Sequence, residues 1–178
     1  MRVDKIYLVG FMATGKSTVG RQLAARLRWR FEDIDHLIEV REKRTIAEIF
    51  AKQGEPYFRA VEREILALLR PIRHVVIATG GGTFADPENR AAINLDGASI
   101  WIDVPLQELI ARIPLDGRRP LASDRLQLER LYAARTEGYR MAHLRVNGSR
   151  SPASAVVDRI IDALSAFPPT IGAAFQDE

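Results

Sequence analysis

The stretch LVGFMATGKSTVG, residues 8–20, narrows the folds open to this chain more than any other. It spaces Gly10-x-x-x-x-Gly15-Lys16-Ser17, and its two flanks differ in kind. Before it, KIYLVG (5–10) is a largely apolar run of strand length. After it, KSTVGRQLAARLRW (16–29) places Val19, Leu23 and Leu27 on one helical stripe. A strand that passes through glycines straight into a helix gathers the backbone N–H groups of residues 12–18 at the helix N-terminus, where an anion is favoured. Gly10 and Gly15 permit the close approach that a side chain would block. Met12, Ala13, Thr14, Gly15, Lys16, Ser17 and Thr18 are therefore the expected phosphate contacts. Lys16 would put a point charge on the outer phosphates, and Ser17 Oγ would ligate Mg²⁺. The pattern predicts nucleotide binding.

The same alternation continues along the chain. RFEDID (30–35), HVVIATGGG (74–82), ASIWIDV (98–104) and HLRVN (143–147) read as strands. DHLIEVREK and TIAEIFAKQG read as two short helices, the second opened by a capping box of Thr45 and Glu48. PYFRAVEREILALLRP (56–71) reads as a longer helix stopped by Pro71. DPENRAAIN has Asp86 as cap and Pro87 at the first helical position. PLQELIARI, a segment over about 125–141 and SPASAVVDRIIDALSAF complete the helices. Between them, PLDGRRPLASD (114–124) is expected to be an exposed, mobile loop, and residues 168–178 a frayed tail. Alternating strands and helices predict one α/β domain over 1–167 with a mainly parallel sheet. Ligands of such a sheet bind beyond the carboxyl ends of its strands.

Two further groups point at that edge. Gly80-Gly81-Gly82 ends a buried strand, and bare backbone there lets a ligand come close. Asp33 and Asp35 follow the second strand, where residues two apart in extended chain face one side, so both carboxylates could reach the site. One would suit Mg²⁺ and the other a substrate hydroxyl; alternatively, Asp35 could cap the helix that follows. His36, His74 and His143 have no metal-ligand spacing.

Composition removes several classes of function. With no cysteine there is no thiol nucleophile, disulfide or cysteine-ligated zinc, which fits a cytoplasmic protein. The net charge is +3, and only four of the 26 basic residues are lysines. The arginines are interleaved with acids, as in EVREKR and VEREI, which reads as a salt-laced helical surface rather than a nucleic-acid face. No apolar run approaches the ~20 residues of a membrane span, and the first residues are too short in apolar length for a secretory signal. A monomer acting on a small molecule is expected.

Taken together, GFMATGKSTVGRQLA, FEDIDHLIE, IAEIFAKQGEPYFRAVE, ATGGG and RRPLA resemble shikimate kinase, in order, from about residue 5 to residue 164. The glycine loop is common to many ATPases and GTPases; the D-x-D, G-E-x-x-F-R-x-x-E and G-G-G set is far more specific. The resemblance implies a nucleoside-monophosphate-kinase-like fold with a five-stranded parallel sheet in the order 2-3-1-4-5. It implies transfer of the ATP γ-phosphoryl group to the 3-hydroxyl of shikimate, with Mg²⁺, in the synthesis of chorismate and the aromatic amino acids. On the family pattern Lys16, Asp35 and Arg119 are catalytic, and Asp33 lies near Mg²⁺ with Ser17. Arg59, Arg135, Gly81 and Gly82 bind the shikimate carboxylate and hydroxyls, Phe50 and Phe58 line its pocket, and Asp35 holds the reacting hydroxyl. Arg119 belongs to the family's mobile lid, here 114–124, and Arg112 and Pro152 match positions flanking adenine. Two positions depart from the pattern. Ala13 stands where the family commonly has glycine, a small steric change, and Glu137 where it has proline in R-x-P-x-Y. Arg140 is an alternative to Arg135, and Arg118 to Arg119. Rival readings are a kinase for another hydroxylated acid such as gluconate, and a kinase-like ligand sensor without activity.

Overall fold

A computed structural model describes residues 3–113 and 125–167; the expected lid over 114–124, with Arg118 and Arg119, and the expected tail over 168–178 lie outside the described residues. Five strands, β1 (Lys5–Val9), β2 (Arg30–Asp33), β3 (Val75–Ala78), β4 (Ala98–Asp103) and β5 (Leu144–Asn147), form one parallel sheet in the order β2-β3-β1-β4-β5. This is the order that the resemblance implies. β1 and β3 are buried along their whole length, which is why they read as near-continuous apolar runs rather than alternating ones. The register pairs Leu8 with Ala78 on one side and Ile100 on the other, and Asp33 with Ala78. The carboxyl ends of β1, β2 and β3 therefore finish level. Gly10, Asp33 and Thr79 leave the sheet at one edge.

Seven helices are described: α1 (Lys16–Leu27), α2 (Ile34–Glu42), α3 (Ile46–Leu69), α4 (Pro87–Asp96), α5 (Leu106–Ile110), α6 (Arg125–Tyr139) and α7 (Ala153–Ser165). α1 buries Val19 and Leu23 against the sheet and packs beside α7. Asp86 caps α4 through the backbone N–H groups of Glu88 and Asn89, with Pro87 at the first helical position. Thr45 and Glu48 form the expected capping box. Among the described residues no helix is long and apolar enough to cross a membrane.

Two local expectations are corrected. The second strand ends at Asp33, and it is Asp33, not Asp35, that caps the following helix, its carboxylate accepting from His36 N at 3.4 Å. A cap must be extended immediately before the first helical residue; Asp33 is extended, and Asp35 already lies in the first turn of α2. The two helices expected over 45–71 are joined into one element, α3, that changes direction at Gly54 (φ 80°, ψ 173°). That backbone region is open to glycine almost alone. Pro56 is tolerated just beyond it because the first turn after a break has no helical acceptor for its missing N–H.

The opposite edge of the sheet explains a lysine inside an apolar strand. Lys5 is fully buried and its Nζ donates to the Leu69 and Arg70 carbonyls, closing the end of α3, and to Asp96 Oδ2 at 2.7 Å. Burial lowers its pKa and the Asp96 carboxylate opposes that shift.

Candidate active site

Two cavities adjoin at the carboxyl edge of the sheet. The first is lined by Ala13, Gly15, Lys16, Ser17 and Thr18 of the glycine loop, with Asp33, Asp35, Thr79 and Gly81. The second is lined by Met12, Ile46, Phe50, Phe58, Arg59, Glu62, Gly80, Gly82 and Arg135, again with Asp35 and Gly81. Asp35 and Gly81 are thus the shared wall.

The loop between β1 and α1 is held from within. Gly15 adopts a left-handed conformation as the N-cap of α1. Lys16 Nζ is buried and donates to the carbonyls of Gly10 at 2.9 Å and Phe11 at 2.7 Å, across the mouth of the loop. Thr14 Oγ1 donates to the Phe11 carbonyl at 2.9 Å, so its side chain braces the loop instead of facing the cavity. Met12 turns into the second cavity, not the first. Ala13 has φ 61°, so its departure from glycine is conformational rather than steric. Holding alanine in the left-handed region costs about 1–2 kcal/mol. Ser17 Oγ donates to Asp33 Oδ2 at 2.5 Å, which brings the first turn of α1 and the end of β2 together.

The second cavity is built around two guanidinium groups. Arg59 donates from Nη1 to Glu62 Oε2 at 2.9 Å, and from Nε and Nη2 to Glu55 Oε1 at 3.2 and 3.0 Å. Glu62 is completely buried and also accepts from Thr83 Oγ1 at 2.7 Å. An i,i+3 pair on a helix is usually a weak surface bridge; the burial of Glu62 makes this one an internal fixture. Burial by itself would lower the Arg59 pKa, but Glu62 and Glu55 outweigh it and the value is raised. Arg135 is only 7% exposed, and its pKa is lowered by burial. Among the described residues no carboxylate lies within ion-pair distance of Arg135; its guanidinium lies 5.8 Å from the Phe11 ring centroid.

Both arginines converge on the glycine triplet. A Cβ on Gly82 would stand 2.5 Å from Arg59 Nη2, and one on Gly81 would stand 3.2 Å from Arg135 Nη1. Arg59 is thus paired with Glu55 and Glu62, whereas Arg135 presents a buried guanidinium with no carboxylate within ion-pair distance among the described residues, a group suited to an anionic ligand. Phe50 and Phe58, with ring centroids 4.9 Å apart, form the apolar wall with Ile46. Chemically, this is a phosphate-holding loop on one side, an apolar and cationic pocket on the other, and a carboxylate between them.

The remaining expected residues lie apart from the two cavities. Arg112 is on the surface and donates to Glu108 Oε2 at 3.3 Å. Glu108 also accepts from Ser149 Oγ and from Arg150 N, and Pro152 begins α7 just beyond. Arg112 and the turn before α7 are therefore joined through Glu108, whose pKa is lowered by the Ser149 hydrogen bond and the Arg150 N–H. Arg140 is exposed and pairs with Glu137 at 2.8 Å, so the Glu137 departure lies at the surface and leaves Arg135 undisturbed.

Several lining residues were not anticipated: Ile46, Thr79 and Glu62, the last foreseen only as a partner of Arg59. Thr79 could have been found as the lone polar side chain at the end of an apolar strand. Ile46 is the first residue after the Thr45 cap, a position whose spacing says nothing about a cavity.

Comparisons with known proteins show the family. The shikimate kinase family model matches residues 12–165. A shikimate kinase of Sulfurihydrogenibium sp. is 39% identical over 160 residues, covering 89% of this chain and 96% of that protein. Among solved structures, the shikimate kinase of Aquifex aeolicus is 38% identical with a TM-score of 0.84, covering 90% of this chain and 96% of that one. That of Acinetobacter baumannii in complex with shikimate is 34% identical with a TM-score of 0.88, covering 92% and 94%. By fold, by motif and by these likenesses, the chain belongs to the shikimate kinase family.

Proposed function

We propose that this chain transfers the γ-phosphoryl group of ATP to the 3-hydroxyl of shikimate, giving ADP and shikimate 3-phosphate on the route to chorismate. The observation that carries the proposal is the shared wall: Asp35 lines both the phosphate-side cavity and the cationic, apolar one. Phosphoryl transfer asks of a protein chiefly positioning and charge neutralisation. Asp35 stands where an acceptor hydroxyl in one cavity would meet a phosphoryl group in the other, and a carboxylate there can orient the hydroxyl and accept its proton. Lys16 and the loop N–H groups hold the phosphates. Arg59 and Arg135 hold the acceptor carboxylate, the former through its end-on Nη1/Nη2 edge beside Gly82. The aromatic wall keeps water from competing as acceptor. Arg119, outside the described residues, is assigned by family resemblance to the charge on the transferring group.

Ser17 Oγ and Asp33 Oδ2 are hard oxygen donors 2.5 Å apart at a helix N-terminus, a donor set that fits Mg²⁺ with few protein ligands. When bound there, the ion supplies positive charge to the phosphate oxygens. The partner proposed is a small molecule, bound by a cytoplasmic monomer, rather than nucleic acid or a membrane; surface arginines paired with acids, as in Arg26–Asp158 and Arg41–Glu64, count against a continuous basic face for nucleic acid.

The test is ADP release from ATP and Mg²⁺ with shikimate, with gluconate, or with no acceptor. Release should depend on shikimate; release with gluconate alone would transfer the assignment to another acid kinase. Asp35→Asn should lose at least about a hundredfold in turnover, the usual worth of a positioned base, while retaining ATP binding.

A further inference from the structure

A run of three glycines gives a ligand room but has no side chains with which to hold its own backbone. Each peptide in it must be fixed by a partner. The Gly80 carbonyl accepts from Thr83 N at 3.2 Å and the Gly82 carbonyl from Ala85 N at 3.1 Å, both inside the turn. The Gly81 carbonyl is different: it accepts from the hydroxyl of Tyr139, 58 residues away at the end of α6. Gly81 is also the glycine that faces both cavities.

We infer that Tyr139 is a positioning residue of the acceptor site, its hydroxyl anchoring the Gly81 peptide against Arg135. The inference rests on the acceptor reading proposed above and adds a residue to it. Arg135 and Tyr139 are four apart on one helix, hence on one face. Arg135 Nη1 would be 3.2 Å from a Cβ on Gly81. The two side chains thus grip the same glycine, one by its carbonyl and one beside its Cα. Tyr139 is 1% exposed, with its ring centroid 6.0 Å from that of Trp101. Trp101 in turn lies under the glycine loop, its Cδ1 3.5 Å from where a Cβ on Gly10 would be. The ring fills the core whether or not it carries an oxygen. The oxygen is what reaches Gly81. Burial raises the Tyr139 pKa strongly, against the pull of the Arg135 guanidinium, so the hydroxyl stays protonated and remains a donor. Without it, a glycine peptide at the junction of the two cavities would be free to turn.

Tyr139→Phe removes the oxygen and keeps the ring, so the variant should fold with a thermal midpoint close to wild type. Two measurements decide the matter. The first is the Michaelis constant for shikimate beside the dissociation constant for ATP: the former should rise about tenfold, the scale of a lost buried hydrogen bond, and the latter stay within about twofold. A merely structural role would move both together. The second is amide hydrogen exchange over residues 79–83 in the substrate-free protein, which should become about tenfold faster while the exchange of α1 and β4 is unchanged. Unchanged exchange would overturn the anchoring, and faster exchange with an unchanged shikimate constant would overturn the positioning role. If wild type itself used no shikimate, the acceptor reading would fail and the exchange result alone would decide whether Tyr139 anchors Gly81.

Discussion

A single methyl group on Gly82 would stand 2.5–2.8 Å from the Arg59 guanidinium, closer than any real contact permits. An ordinary arginine would swing aside, since its far end is flexible. Arg59 is held on two edges by Glu55 and Glu62, and Glu62 is buried and bonded to Thr83, so moving it breaks several charged hydrogen bonds. Gly82→Ala should therefore raise the Michaelis constant for shikimate about tenfold or more, since charged hydrogen bonds contribute roughly 1.5–3 kcal/mol each. ATP affinity should not change, because the glycine loop is a separate segment. Steady-state kinetics beside nucleotide titration checks both halves; unchanged shikimate kinetics would mean that Arg59 is not held in place. The sequence spacing of Arg59 and Glu62 is the same as that of a trivial surface pair. What separates the two cases is burial, and spacing on one helix does not contain it.

At the scale of elements, α3 builds half of the acceptor cavity by being bent. Ile46 and Phe50 lie before Gly54, and Phe58 and Arg59 lie after it. The angle between the two halves sets how the Phe50 and Phe58 rings meet, at 4.9 Å with planes tilted by 42°. Gly54→Ala should lower the stability by about 1–3 kcal/mol, the cost of a residue forced into a glycine-only region. The same change should weaken shikimate use without altering ATP binding. Urea denaturation gives the first quantity and kinetics the second; a variant as stable as wild type would show that the bend does not depend on glycine. The chain announced an interruption here, through Gly54 and Pro56, and the reading of two separate helices followed from it. The hydrogen bonding of one element with two directions depends on what its halves pack against, which no local pattern carries.

At the scale of the whole molecule, the edge opposite the site holds a pH-sensitive contact. His143, just before β5, accepts from Ser99 N through Nδ1 at 3.2 Å, while its own backbone N–H donates to Ser99 Oγ at 2.9 Å. Ser99 Oγ in turn donates to Asn94 Oδ1 at 2.7 Å, tying β4, α4 and the start of β5 together. Burial lowers the His143 pKa below its ordinary value. A histidine with a depressed folded pKa is protonated first in the unfolded chain, so the unfolded state binds more protons as pH falls. The contribution is fully present above the unfolded value of about 6.5 and is lost as pH drops through that value toward the folded one. The urea midpoint should fall between about pH 7.5 and pH 5.5, and His143→Gln should flatten that dependence. An equally steep fall in the variant would assign it to other groups.

The sequence by itself determined the architecture and much of the chemistry. Alternating apolar runs and amphipathic stripes demand a parallel sheet covered by helices, Thr45 and Asp86 start their helices by satisfying nearby N–H groups, and Gly10 to Ser17 specify a loop that points backbone donors at one place. All of these depend on residues within a few positions of each other, where period and hydrogen-bond reach are fixed by covalent geometry. Tertiary structure alone decided that Asp33 rather than Asp35 caps α2, that Met12 faces the acceptor cavity, that Glu62 is buried, and that Asp35 and Gly81 are shared by two cavities. It alone brought the Tyr139 hydroxyl to Gly81. Those outcomes depend on how distant elements stack and which face each loses to water, a property of the packed whole that spacing along the chain does not encode.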